Sequence, residues 1–118
     1  MLELLKPQKV FYYFEELTKI PHGSGNTKEI SDYCVQFAKE HQITYYQDAY
    51  NNVILVKEAT KGRENDAGVI IQGHLDMVAV KDAESTHDFT KDALPLAIKG
   101  DWVSSTNTSL GGDDGIAV

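Results

Sequence analysis

Cysteine is nearly absent: Cys34 stands alone in 118 residues. No disulfide can form within the chain, and a reducing compartment is the easier home. Positive charge is also scarce, with 11 Lys and Arg against 18 Asp and Glu and a formal net charge of -7. That balance removes the basic face that a nucleic-acid backbone or an anionic membrane needs as a partner. The opening residues, MLELLKPQK, lack the long apolar stretch of a signal peptide or membrane span, so the cytoplasm is the expected location. Repeats, low-complexity tracts and an obvious linker are missing too. What is present, 42% hydrophobic and 25% charged residues, fits one soluble globular domain with a modest core.

Pro7 reads as a first-turn helix residue, and Val10, Phe11, Phe14 and Leu17 recur at helical spacing as far as Pro21. HGSGN then breaks the chain. Asn26 with Glu29 approximates a capping box, and Ile30, Tyr33, Cys34, Phe37 and Ala38 form the apolar stripe of a second helix. ITYYQDAYNNVILVKE alternates about a turn at Tyr50-Asn51-Asn52, which predicts a hairpin. Val69 to Gln72 is predicted to be a short strand buried on both faces of a sheet. LAIKGDWVSS predicts a second hairpin turning at Gly100-Asp101. Helices followed by strands, and a last Gly-rich turn leading into an incipient helix, predict a layered α/β domain. The final GGDDGIAV feeds a new apolar element with no stop signal, so the chain is expected to be a fragment.

Two clusters can carry chemistry. In GHLDMV, His74 and Asp76 are two apart, so on a strand they share a face at its carboxyl end, where open α/β sheets place their sites. A metal-bound imidazole commonly gives its other N–H to a carboxylate, so an H-x-D pair suits a ligand with its orienting partner. The bland reading, and for H-x-D alone the commoner one, is a structural His–Asp hydrogen bond at a strand terminus. In SLGGDDGIA the glycines let the backbone bend, and Asp113 and Asp114 set two carboxylates beside a helix start. One carboxylate can bridge two cations about 3.5–4 Å apart, whereas the bland reading is an acidic turn. The D-x-D-x-D-G spacing of a calcium loop is missing. Cys34 reads as core, His41 as a helix-end surface residue, and His22 and His87 as single loop histidines. GSGN does not satisfy a phosphate-binding loop, and SSTNTS has no nucleophile-elbow pattern.

Taken in order, IPHGSGN, GHLDMV, HDFTKDALPL and SLGGDDGIA resemble the start of the aminoacyl-histidine dipeptidases, also called peptidase D or cytosolic non-specific dipeptidases, among the two-metal exopeptidases. The resemblance runs over nearly all of the chain. The lack of an Asp-x-Lys-Gly form of the second motif favours this branch over deacylases and carboxypeptidases. Two departures stand out: Gly-Gly-Asp-Asp where relatives often show Gly-Ala-Asp-Asn, and Asn107-Thr108 where Gly-Thr is common. Neither removes a ligand.

The resemblance implies a layered α/β/α zinc-exopeptidase-like catalytic domain, of which residues 1–118 are the N-terminal part, with a lid and dimerisation domain elsewhere. It implies His74 as a ligand of one metal and Asp76 as the catalytic-site carboxylate that holds its imidazole. Asp113 would bridge two metals, and Asp114 would follow it through an unusual peptide bond, cis in the metal-loaded parent and trans or disordered in this chain. The implied cofactors are two Zn²⁺, with Mn²⁺ or Co²⁺ as substitutes, that activate a water against a dipeptide such as Xaa-His. The implied general base is a downstream glutamate, not found among these residues, and the parent is expected to be a cytoplasmic homodimer. Alternatives are a related aminotripeptidase or metal-dependent deacylase, or a metal-free α/β binding or scaffolding module.

Overall fold

The computed structural model describes residues 1–118, and its backbone gathers into two compact units, residues 1–30 with 73–118 and residues 31–72. In the first, helix α1 (Gln8–Thr18) forms where Phe14 and Leu17 fall on one face, and both are buried. Pro7, expected inside the first turn, instead flanks it with extended ψ of 127°, after a cis Lys6–Pro7 bond. The start of the chain is tied to the same helix. Met1's ammonium and the Leu2 N–H donate to the two oxygens of Glu15, each at 2.8 Å, which seats Leu2 in the core. Strands β3 (Leu96–Lys99) and β4 (Trp102–Ser105) form the expected hairpin, with Gly100 supplying a φ of +59° at the turn.

The second unit holds most of helix α2 (Lys28–Glu40) and the hairpin of β1 (Thr44–Gln47) and β2 (Val53–Val56). The hairpin forms as the alternation predicts. Its turn is tied by the Asp48 carboxylate, which accepts from the N–H groups of Tyr50 and Asn52. Because α2 begins at Lys28, Thr27 flanks it, and Asn26 instead donates its N–H to the Gly23 carbonyl. The buried face of α2 includes Val35 and Ser31, while Tyr33, Cys34 and Phe37 are half-buried. Ser31 is fully buried and accepts from Gln47 Nε2 at 2.7 Å, so its hydroxyl is satisfied. The helix stops without glycine. Gln42 takes a φ of +56°, and Ile43 and Gln42 donate back to the carbonyls of Ala38 and Lys39, a Schellman closure.

The architecture is therefore mixed α/β, as expected, but its two sheets are each only two-stranded. The predicted buried strand at Val69–Gln72 does not form. Val69, Ile70 and Ile71 are 85%, 93% and 90% exposed and have no ladder partner. The physical reason is that a strand exists through its neighbours: β-branched residues favour extended backbone, but only a paired strand can satisfy its N–H and C=O groups and bury both faces. No helix is long and apolar enough to cross a membrane.

Candidate metal centre

Three short segments of the first unit build the site. The loop Ile20–Asn26 pairs with residues 76 and 77: Met77 donates to the His22 carbonyl and Ser24 to the Met77 carbonyl, both at 3.0 Å. Ser109 then fastens the next stretch, donating its hydroxyl to Val78 O at 2.5 Å and its N–H to Val80 O at 2.8 Å. The third segment is the turn α3 (Gly112–Gly115), preceded by Gly111 at φ +69°. A Cβ on Gly111 would stand 3.0 Å from Met77 Cβ and 3.1 Å from its Sδ, so only glycine lets the turn lie against buried Met77. Phe14 of α1 supports its far end, 3.3 Å from where a Gly115 Cβ would sit. A single helical turn forms where the sequence suggests an incipient helix, kinked at Asp113, whose φ and ψ are an extended -99° and 116°. The Asp113–Asp114 bond is cis, which corrects the expectation of trans for this chain.

These segments bring His74, Asp113 and Asp114 together, with one ligand atom from each lying within 4.8 Å of the others. His74 Nε2 lies 3.3 Å from Asp113 Oδ1 and 3.7 Å from Asp114 Oδ2. The other ring nitrogen, Nδ1, is 2.8 Å from the Asp76 carbonyl oxygen and 3.3 Å from Asp76 Oδ1. Asp76 is thus beside His74 as the spacing predicts, although residues 73–76 form no strand. Asp114 also accepts the His74 backbone N–H at 3.0 Å, which anchors the turn to residue 74 within this chain.

The electrostatics follow from these contacts. His74 is raised above the ordinary imidazole value, first by its bond to the Asp76 carbonyl and then by the nearby Asp114 charge, against some desolvation. Asp76 is lowered, chiefly by the Ser24 hydroxyl that donates to its Oδ2. Asp114 is lowered, chiefly by the His74 N–H.

The donor set fits a divalent ion. The Asp76 carbonyl at 2.8 Å and its Oδ1 at 3.3 Å both face Nδ1, so together they favour the proton of a neutral His74 there and leave a lone pair on Nε2. That lone pair points at carboxylate oxygens, acceptor against acceptor, an arrangement that either a second ring proton or a cation between them resolves. Two ligands about 2.0–2.1 Å from a tetrahedral zinc lie about 3.3 Å apart, and the His74–Asp113 pair is at 3.3 Å. All three residues are at least partly exposed, so an ion can reach them.

The other histidines do not belong to this cluster, although His22 Nε2 lies 3.5 Å from where a Gly111 Cβ would sit. His22 is buried and donates from Nδ1 to Ile20 O at 2.5 Å, and His41 stacks on Phe37. His87 packs edge-on against Phe89. Cys34 is half-buried on α2, where desolvation raises its thiol. One participant escapes sequence reasoning: Ser24, 52 residues from Asp76, in a loop whose pattern carries no distance information.

A mixed α/β chain with a histidine and two carboxylates converging on one point has its likenesses among dipeptidases. It is 39% identical to the cytosol non-specific dipeptidase of Escherichia coli strain K12 over 117 residues, 99% of this chain and 24% of that protein. The crystal structure of aminoacylhistidine dipeptidase from Vibrio alginolyticus superposes with a TM-score of 0.93 at 37% identity, over 98% of this chain and 24% of that one. The chain thus spans about a quarter of the length of the relatives it matches. The resemblance read from GHLDMV and SLGGDDGIA is confirmed by both. No family model matches the chain.

Proposed function

We propose that this chain is the N-terminal part of the catalytic domain of a metal-dependent dipeptidase, a layered α/β/α domain whose remaining strands would flank Val69–Gln72. The observation that carries the reading is the convergence of His74 with Asp113 and Asp114 from 39 and 40 residues away, Nε2 turned toward both carboxylates. In this reading His74 Nε2 is a terminal ligand and Asp113, its side chain 92% exposed, is free to bridge toward a second ion. Asp76 keeps the proton on Nδ1 and so presents Nε2 as a ligand. Asp114 adds negative charge beside the site and fixes the turn through the His74 N–H. Zinc, or manganese or cobalt in its place, supplies Lewis-acid polarisation of a peptide carbonyl and makes a nearby water acidic when bound. The substrate class is small dipeptides, and the parent is a cytoplasmic enzyme, homodimeric through a domain outside these residues.

Equilibrium dialysis of the chain against Zn²⁺ tests the assignment. The expected result is saturable binding that falls at least about tenfold in His74→Ala and in Asp113→Ala. Binding that neither substitution weakens would overturn it.

A further inference from the structure

The HGSGN loop reaches Asp76 through the side chain of Ser24. Ser24 Oγ donates to Asp76 Oδ2, while the other oxygen of the same carboxylate, Oδ1, lies 3.3 Å from His74 Nδ1. The backbone of Ser24 is held separately, its N–H on the Met77 carbonyl at 3.0 Å, with Met77 N–H on the His22 carbonyl. The loop is therefore docked by main chain, and the hydroxyl, 3.4 Å from the Met77 carbonyl, makes its shorter bond to Asp76. Gly25, at φ +82°, turns the chain away immediately afterwards, and Ser24 itself remains exposed.

We infer that Ser24 is a positioning residue for the metal centre: its hydroxyl pins the Asp76 carboxylate, which in turn keeps the His74 ring with Nδ1–H toward Asp76 and Nε2 toward Asp113 and Asp114. A carboxylate on a free rotor can swing away from an imidazole. Occupying Oδ2 with a donor removes that freedom and leaves Oδ1 and the Asp76 carbonyl to share Nδ1–H. Orientation of a ligand by such an outer partner commonly changes metal affinity about 10–100-fold. This inference rests on the reading of His74 as a ligand, yet its geometric half exists without any metal.

The test uses the whole chain, labelled with ¹⁵N, in the native form and as Ser24→Ala and Ser24→Thr. Long-range ¹H–¹⁵N spectra at about pH 9, where an ordinary imidazole is neutral, report which nitrogen of His74 carries the proton. His41, in another part of the chain, serves as an internal reference. The native chain should show His74 protonated on Nδ1. Ser24→Ala should give a mixture of the two tautomers, and Ser24→Thr, which keeps a hydroxyl at an exposed position, should restore the native pattern. Zinc affinity should fall about tenfold in Ser24→Ala and recover in Ser24→Thr. An unchanged His74 tautomer in Ser24→Ala overturns the inference, whatever zinc does. A tautomer that shifts in a chain whose native form binds no zinc upholds the positioning and sinks the metal reading instead, so the two failures are distinguishable.

Discussion

At the scale of single residues, local hydrogen bonds decide the charge states. Asp88 is the clearest case. The Thr90 hydroxyl donates to its Oδ1 at 2.6 Å and the Thr90 N–H at 2.9 Å, with Lys91 Nζ at 3.0 Å from Oδ2. These hold its carboxyl well below the ordinary range, the Thr90 hydroxyl most strongly. The depressed value makes this turn's contribution complete above the ordinary carboxylate range and lost only as pH falls through Asp88's own lower value. In an NMR titration Asp88 should be among the last carboxylates to protonate, and Thr90→Ala should raise its midpoint more than Lys91→Ala. A larger effect from Lys91 would show that the ion pair rules instead.

The same scale shows what the sequence could and could not reveal about the site. His74 with Asp76 is legible because two-residue spacing is a local property. Asp113 and Asp114 are legible as an acidic pair, but nothing local states that their oxygens lie about 3–4 Å from an imidazole some 40 residues earlier. That distance came into view through the family resemblance. Ser24 stayed hidden because a serine between two glycines reads as a loop, and its partner is 52 residues away.

Among the elements, both hairpins and both long helices follow from alternation, helical spacing and turn residues, all of them short-range signals. The segment Val69–Gln72 did not, because a buried strand is defined by partners rather than by its own composition. The turn at residues 111–115 was legible only in part for a related reason: a helical turn forms, but kinked at Asp113. Three glycines and two aspartates read as a helix start, yet their conformation is set by Met77 beneath Gly111 and Phe14 beside Gly115. Gly111→Ala should therefore be costly, roughly 1–2 kcal/mol for a side chain in left-handed backbone plus about 1–3 kcal/mol for crowding Met77. Denaturant unfolding should report the loss, with amide shifts concentrated at residues 73–77 and 111–118. Gly112→Ala, with open space for its Cβ, should cost far less. Equal effects at the two glycines would mean that the close contact with Met77 is not what shapes the turn.

For the molecule as a whole, the proposed chemistry outruns the side chains present. Catalytic zinc sites usually take three protein ligands and keep an open position, whereas this chain offers one imidazole and two carboxylates for what is proposed to be a pair of ions. The 118 residues alone should hydrolyse no Xaa-His dipeptide, even with zinc or manganese added. Chelator-sensitive turnover by the purified chain would show that the centre is complete without further ligands.

The central claim, that His74 is a metal ligand held in place by its neighbours, is most directly tested by X-ray absorption spectroscopy of the zinc-loaded chain. The account predicts nitrogen and oxygen neighbours at about 2.0–2.1 Å and no sulfur shell near about 2.3 Å. It also predicts an imidazole scattering signature that disappears in His74→Ala. An imidazole signature that survives that substitution, or a sulfur neighbour from Cys34, would contradict it.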